Sequence, residues 1–257
     1  MEKKKLREYK KDSSQYLFYK EMHENQTLQH VLTMIKKYDT PKMEMSIQKA
    51  LSLMDNFIDP SDPDVDVPNS IHAYKTAERC RKLYPNDKEL QVTCLIHDLG
   101  KVLFHFGEPN WNVVGDTYVV GCAFNNSIVY PETLLNNPDY GKYDELGIYQ
   151  KNCGIEKLYL SYGHDEYLYN VLKRNKNKHR LNCRYLNMIR YHSFYPWHTG
   201  NKYRQFNKNG DEKILNDVLL FNSFDLYSKE DTINITNDIK NYYNKLLEEY
   251  FPYTLEW

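Results

Sequence analysis

An adjacent histidine–aspartate pair, His97-Asp98, sits in the apolar stretch CLIHDLGK that runs from Cys94 to Lys101. Leu90, Cys94, His97, Asp98 and Lys101 recur at the spacing of one helical face, otherwise the face a helix buries. A buried carboxylate is costly unless something positive holds it, and one lysine rarely suffices. A metal ion would suffice, because imidazole and carboxylate are the usual ligands of borderline and hard cations. Taken alone, the dipeptide is more often a core histidine beside a capping or surface aspartate, so the case rests on further ligands.

Four other stretches place a ligand type on an apolar or tightly flanked face: His72, His164 in SYGHDEY, His192 in MIRYHSFYPWH and Asp225 in FNSFDLYSK. Each alone is more often structural. With His97 and Asp98 they make four histidines and two aspartates from five helical segments that share a core. That is too few ligands for two isolated octahedral ions unless a carboxylate bridges, and Asp98, next to His97, is the natural bridge. A set of nitrogen and oxygen donors without thiolate suits iron or manganese, and zinc less firmly. It leaves coordination positions open, as chemistry requires. Lys101 lies one turn beyond His97 and three residues past Asp98, on their face. An ammonium beside two cations is repelled, which suggests work on an oxygen-rich substrate with its pKa pushed down. A lysine snorkelling to solvent fits the spacing equally well.

The elements that must position these residues are mostly helical. A stripe of Leu28, Val31, Leu32 and Ile35 predicts helix from about Gln15 to Tyr38, and a second helix follows from about Met43 to Phe57. His23 and His30 lie on the first of these with no carboxylate at ligand spacing, and read as structural or exposed. The acidic, proline-rich DPSDPDVDVPNS, Asp59 to Ser70, excludes regular structure until Pro68-Asn69-Ser70 starts a helix carrying His72, Thr76, Cys80 and Leu83. A central helix spans about Asp87 to Phe106 and stops at Gly107-Glu108-Pro109. Two β-branched runs flanking Gly115-Asp116 in WNVVGDTYVVGC predict a small hairpin. Helix is expected from about Ile155, broken near Gly163 and resumed to Leu172. Further helices follow over about Asn182–Ser193, Glu212–Ser228 and Thr236–Tyr250. The basic run from Lys173 to Arg180 lacks aromatic interleaving and reads as a solvated turn.

This pattern predicts an all-α fold, a mostly helical bundle with a small β-hairpin. The 257 residues show neither a linker nor a repeat of solenoid length, so one catalytic domain, 1–257, is expected, its first ten or so residues an arm or lid. A net charge of −1 gives no field for nucleic acid or an anionic membrane. The five cysteines, odd in number and without a CxxC pair, signal neither a disulfide framework nor a zinc ribbon, and suit a reducing compartment. The basic start MEKKKLREYKKDSSQ has no apolar run behind it, and no stretch approaches membrane-spanning length. A soluble, cytoplasmic protein is expected.

The stretches DPSDPDVDVPNSIHAYKTAE, LIHDLGK, GEPNWNVVGDTYVVGC, SYGHDEYLY, MIRYHSFYPWHTG and FNSFDLYSK closely resemble those of the myo-inositol oxygenase family, in the same order, from about Arg7 to the terminal TLEW. The HD pair alone is shared with HD-domain phosphohydrolases. HSFYPWHTG and GEPxWxVVGDT are long and discriminate. The resemblance implies an HD-domain helical core and a non-haem di-iron centre, mixed-valent Fe(II)/Fe(III) in its active form. It implies ring cleavage of myo-inositol by O₂, a four-electron oxidation to D-glucuronate and water, the first step of inositol catabolism. By motif, His72, His97 and Asp225 would hold one iron and His164 and His192 the other, with Asp98 bridging. Substrate contacts would fall on Arg7, Asp59, Lys101, Gly115, Asp116 and Ser193. Asp98 and Lys101 would carry the chemistry, and a monomer is expected. The alternative is an HD-type metal-dependent phosphohydrolase, in which the same pair activates water against a phosphate ester. The sequence shows no Gly-rich phosphate cradle to favour it.

Overall fold

The computed structural model describes residues 13–57, 59, 61, 68–226 and 233–257. The expected all-helical class holds: α-helices dominate the described residues, joined by 3-10 turns and one two-stranded sheet. The first predicted helix is two, α1 (Ser14–Asn25) and α2 (Leu28–Lys37). They part at Gln26-Thr27. The Thr27 hydroxyl caps α2 by accepting from the His30 N–H. The buried Gln26 amide donates to the Tyr162 carbonyl (2.7 Å) and accepts from the Tyr162 N–H (3.0 Å), so the break is a tertiary anchor. His23 and His30 are structural, bonded to Thr133 and Asn112.

The second predicted helix is shorter than expected. Strand β1 (Glu44–Met45) precedes α3 (Ile47–Leu53), which Ser46 caps. Then come α4 (Asn69–Leu83) and α5 (Lys88–Ile96). From Leu90 to Ile96 every residue of α5 is buried, as a helix enclosed on all sides must be. It packs against α4 and three later helices, α7 (Cys183–Tyr191), α9 (Asp211–Asp225) and α10 (Asn237–Tyr250). The remaining helices are α6 (His164–Arg174), whose N-terminal end faces the C-terminal end of α7, and the single turn α8 (Tyr195–His198).

Two expectations fail here. The central helix does not run unbroken to Phe106. It ends at Ile96, and Leu99–Phe106 winds as a tighter 3-10 helix. Nor does the segment from Trp111 to Cys122 form a hairpin. Its backbone groups pair with other parts of the chain: Val113 O accepts from His164, Thr117 N–H donates to Ser193 O, and Val120 N–H donates to Tyr159 O. Val119 makes one isolated antiparallel bridge to Leu160. The β-branched residues that suggested strands, Val113, Val119 and Val120, are wholly buried and serve packing instead.

The sheet lies elsewhere, where β1 pairs antiparallel with β2 (Leu255–Glu256). Trp257 follows, 1% exposed, its indole N–H donating to the Met45 carbonyl at 3.1 Å. Its backbone closes the same end through Met43. Trp257→Ala should cost about 3–5 kcal/mol of unfolding free energy, the usual price of emptying a large aromatic site. Urea unfolding monitored by circular dichroism measures this; a parent-like midpoint would mean that the C-terminal strand contributes no packing.

Candidate metal centre

All six ligand-type side chains lie at or near helix ends. His72 is in the first turn of α4, His97 and Asp98 follow the last residue of α5, and His164 opens α6. His192 follows the last residue of α7, and Asp225 ends α9. A helix C-terminus offers carbonyls that no intrahelical N–H reaches, and these orient His97 and His192, while a carbonyl of the 111–122 segment orients His164. His97 Nδ1 donates to Cys94 O (2.9 Å), His192 Nδ1 to Ile189 O (2.7 Å) and His164 Nδ1 to Val113 O (2.8 Å). A carbonyl only accepts, so in each ring the proton is on Nδ1 and Nε2 turns its lone pair inward. This is the tautomer a metal ligand needs.

Inward, the donor atoms converge. Asp98 Oδ1 is 3.2 Å from His164 Nε2 and 3.7 Å from His192 Nε2, while its Oδ2 is 3.5 Å from His97 Nε2. Asp225 Oδ1 is 2.8 Å from His72 Nε2 and 3.5 Å from His97 Nε2. Within two groups, His72–His97–Asp225 and His97–Asp98–His192, ligand atoms lie mutually within 4.8 Å, and either group could hold a metal ion. His97 is common to both. His164 joins through its Nε2, 3.1 Å from that of His192. Phe221, on α9, closes one side with its ring against His97 and His192.

That 3.1 Å contact tests whether the residues fit a metal. Both rings have given their Nδ1 protons to carbonyls, so as neutral imidazoles they aim lone pair at lone pair. A shared proton would answer for this pair alone. The same confrontation recurs at His97, whose Nε2 faces two carboxylate oxygens at 3.5 Å. Cations between these atoms would relieve all of it together, and the donor set, imidazole and carboxylate only, suits iron. Burial opposes the charge on Asp98, and positive charge beside it, on His97 when protonated and on the Lys101 ammonium, with protons on His164 and His192 Nε2, outweighs burial and holds the carboxyl well below the usual range. Protons on His72 and His97 Nε2 do the same for Asp225, so each carboxylate calls for positive charge where these rings face it.

Lys101 stands beside this cluster. Its ammonium lies 2.9 Å from Asp98 Oδ2 and 2.9 Å from Asp59 Oδ2, and donates to Asn69 Oδ1 at 3.3 Å. The shared face with Asp98 comes from the 3-10 helix, in which residues three apart eclipse, and not from an uninterrupted α-helix. The expectation of a lowered Lys101 pKa is corrected. Burial alone would lower it, but the two carboxylates raise it above its ordinary value. Asp59 is held in turn by the Ser61 backbone N–H and hydroxyl.

The other predicted contacts are placed as follows. Helix α1 lies over Gly115: with φ at +102°, a Cβ there would meet Met22 Sδ at 2.8 Å. One turn along α1, the Tyr19 hydroxyl donates to Asp116 Oδ1 (3.1 Å) and accepts from the Asp116 N–H (3.3 Å). Burial and the charges of Asp116 and Asp59 push the Tyr19 phenol well above its ordinary range, so the Tyr19–Asp116 and Lys101–Asp59 pairs are electrostatic neighbours. Ser193 is buried beside His192, its carbonyl bound to Thr117 N–H. Arg7 lies outside the described residues.

Several supporting residues escape sequence reasoning. His198 Nε2 donates to His192 O (3.0 Å), as does the Asn222 amide (3.2 Å), fixing the backbone under the His192 ring. Burial pushes His198 down to about 3, which keeps it neutral in that role. Tyr19 and Asn222 carry no signal beyond their apolar neighbours. Gly100 does carry one, as an isolated glycine inside an apolar helical pattern. A Cβ at 100 would sit 1.8 Å from the His164 carbonyl oxygen and 2.9 Å from its Cα. Only glycine lets the backbone of α6 approach closely enough for His164 to reach Asp98. Gly100→Ala should therefore cost about 1–3 kcal/mol by overpacking and weaken metal uptake by the apoprotein. Chemical denaturation and a metal titration on the same sample check both, and parent values in both would show that the backbones separate without consequence.

The sequence profile of the family described as myo-inositol oxygenase matches residues 12–257. The chain is 44% identical over 244 residues to the inositol oxygenases of Mus musculus and of Homo sapiens, an overlap of 93% of this chain and 85% of each relative. It is 43% identical over 247 residues to inositol oxygenase 1 of Arabidopsis thaliana, covering 93% of this chain and 79% of that one. Matched over nearly its whole length at this identity, the chain belongs to the myo-inositol oxygenase family.

Proposed function

We propose that this protein is an oxygenase that cleaves the ring of myo-inositol with O₂, in a four-electron oxidation giving D-glucuronate and water. The observation that carries the reading is the convergence of three histidines, His97, His164 and His192, on the buried carboxylate of Asp98, with His72 and Asp225 joined to them at His97. In this reading His72, His97 and Asp225 would hold one iron, His164 and His192 a second, with Asp98 shared between the two sets. Iron so held, mixed-valent as the family resemblance implies, would supply the binding and reduction of O₂ and the redox capacity for the carbon–carbon cleavage.

The protein's own residues do the rest. His164 and His192, with a shared Asp98, leave their side of the centre less crowded than the three-ligand side, and a vicinal diol needs that room. Lys101 is the cation nearest that carboxylate. Held protonated by Asp59 and Asp98, it acts as a positive charge beside the substrate, stabilising negative charge on a substrate hydroxyl oxygen. Asp59, Asp116, the backbone at Gly115, Ser193 and Arg7 complete the set proposed to bind the polyol, whose hydroxyls both donate and accept. Buried Phe221 keeps water from the histidine side. The substrate in this reading is a small neutral molecule, with O₂ as co-substrate. Family membership speaks against a phosphohydrolase.

Lys101→Ala is expected to keep near-normal iron and helical content while kcat/KM falls by about a hundredfold, the scale of losing one charge-assisted interaction in the transition state. Oxygen uptake with myo-inositol, uronic acid formation and iron content on one preparation test this. Full metal with parent kinetics would remove Lys101 from the site. Hydrolysis of phosphomonoesters without oxygen consumption by the parent protein would overturn the oxygenase reading.

A further inference from the structure

Two residues from His164 along α6 is Glu166, and two residues before His192 on α7 is Arg190. They form a buried, two-pronged ion pair: Arg190 Nε donates to Glu166 Oε2 at 2.7 Å and Nη2 donates to Oε1 at 3.2 Å. Each side chain is only 9% exposed. The remaining guanidinium nitrogen donates to the Tyr191 hydroxyl (3.0 Å) and reaches the Glu156 carbonyl (3.5 Å). The guanidinium carbon also lies 4.7 and 5.2 Å from the ring centroids of Tyr169 and Tyr191. Each nitrogen of the fork thus has a partner, and its position is determined from several directions.

A buried pair of this kind is weak evidence for stability, since desolvating both charges offsets most of their attraction. What it does fix is geometry. It ties the first turn of α6 to the last turn of α7, the two helix ends that set His164 Nε2 and His192 Nε2 3.1 Å apart. Without a proton or a cation between them these nitrogens repel one another, so the metal-free site needs something that resists the separation of α6 from α7. None of the other four ligand-type residues lies on either helix.

We propose that the Arg190–Glu166 pair is a positioning clamp for the His164/His192 half of the metal centre, holding it preformed before metal arrives, and is not needed by the His72/His97/Asp225 half. This rests on the two-ion reading of the centre. The clamp touches neither metal nor substrate in its role.

The test is anaerobic titration of the metal-free protein with Co(II), followed by absorption and calorimetry, beside a thermal melt of the metal-free form. The variants are the apolar double replacement Arg190→Met/Glu166→Leu and the milder Glu166→Gln. The parent should take up two ions in resolvable phases. In both variants one phase should keep its parent affinity, while the other weakens about 10–100-fold, the usual cost of losing a group that orients ligands. The double variant should melt at or above the parent temperature. Parent affinities in both phases for either folded variant would overturn the clamp. So would equal weakening of both phases together with a lowered melt in Glu166→Gln, which would make the pair a general structural support. If the parent binds only one ion, the two-ion reading falls instead, and this is seen before any variant is compared.

Discussion

The structure depends on a collision of electron pairs. Three imidazoles, on His97, His164 and His192, have committed their protons to backbone carbonyls and turn bare nitrogens toward one another and toward Asp98 and Asp225. Nothing in a hydrophobic core would favour this arrangement for its own sake. The fold enforces it through helix ends, and the glycine at 100, the Gln26 anchor, the His198 and Asn222 bonds to His192 O and the α6–α7 ion pair all hold the segments that meet there. Seen this way, much of the buried polar network of the molecule is scaffolding for one small volume of concentrated negative potential.

The six ligand-type side chains are legible in the sequence because each breaks a pattern. A histidine or aspartate on a face otherwise built of leucine, valine and phenylalanine is conspicuous, as His97-Asp98 and Asp225 are. The all-helical class is legible for the same reason, from long stripes of period 3.6. What periodicity cannot show is where a helix changes its winding. Between Asp87 and Phe106 only the isolated Gly100 hints at the stop after Ile96, because the residues on both sides are otherwise mostly apolar and the cause is tertiary. The expected hairpin around Gly115-Asp116 fails for a related reason. Its valines have strand propensity, but the hydrogen-bond partners of that segment lie on residues 159–164 and 193, far away in sequence. The supporting pairs escape sequence reasoning because each joins residues whose neighbourhood is set only by folding.

Lys101 shows how a charge changes meaning with its surroundings. From spacing alone it faces a pair of expected cations, which argues for easy loss of its proton. In the structure it is wedged between the carboxylates of Asp59 and Asp98, which argues for keeping it. The acidic loop that supplies Asp59 reads as solvated sequence, yet its first residue is the counter-ion of a buried lysine. That link joins the loop to the centre and makes the charge state of one depend on the placement of the other.

The location of the ligands at helix ends also governs where the chain can change length. His97, His192 and Asp225 each follow or complete a helix, so one residue added inside α5, α7 or α9 would swing the ligand about 100° round the axis and out of the centre. Helices α6 and α7 run away from the centre in opposite chain directions, and their connector, 175–182, lies about 16 Å off, an eleven-residue helix length. Its own anchors are to α10, β2 and α5, through Arg180 N–H to Tyr250 O, Lys178 to Glu256 and Asn182 N–H to Glu89, and not to the centre. A change of length at that distal turn should therefore disturb the centre less than one within the helices it joins. The centre acts as a fixed origin from which the chain can drift in length only outward.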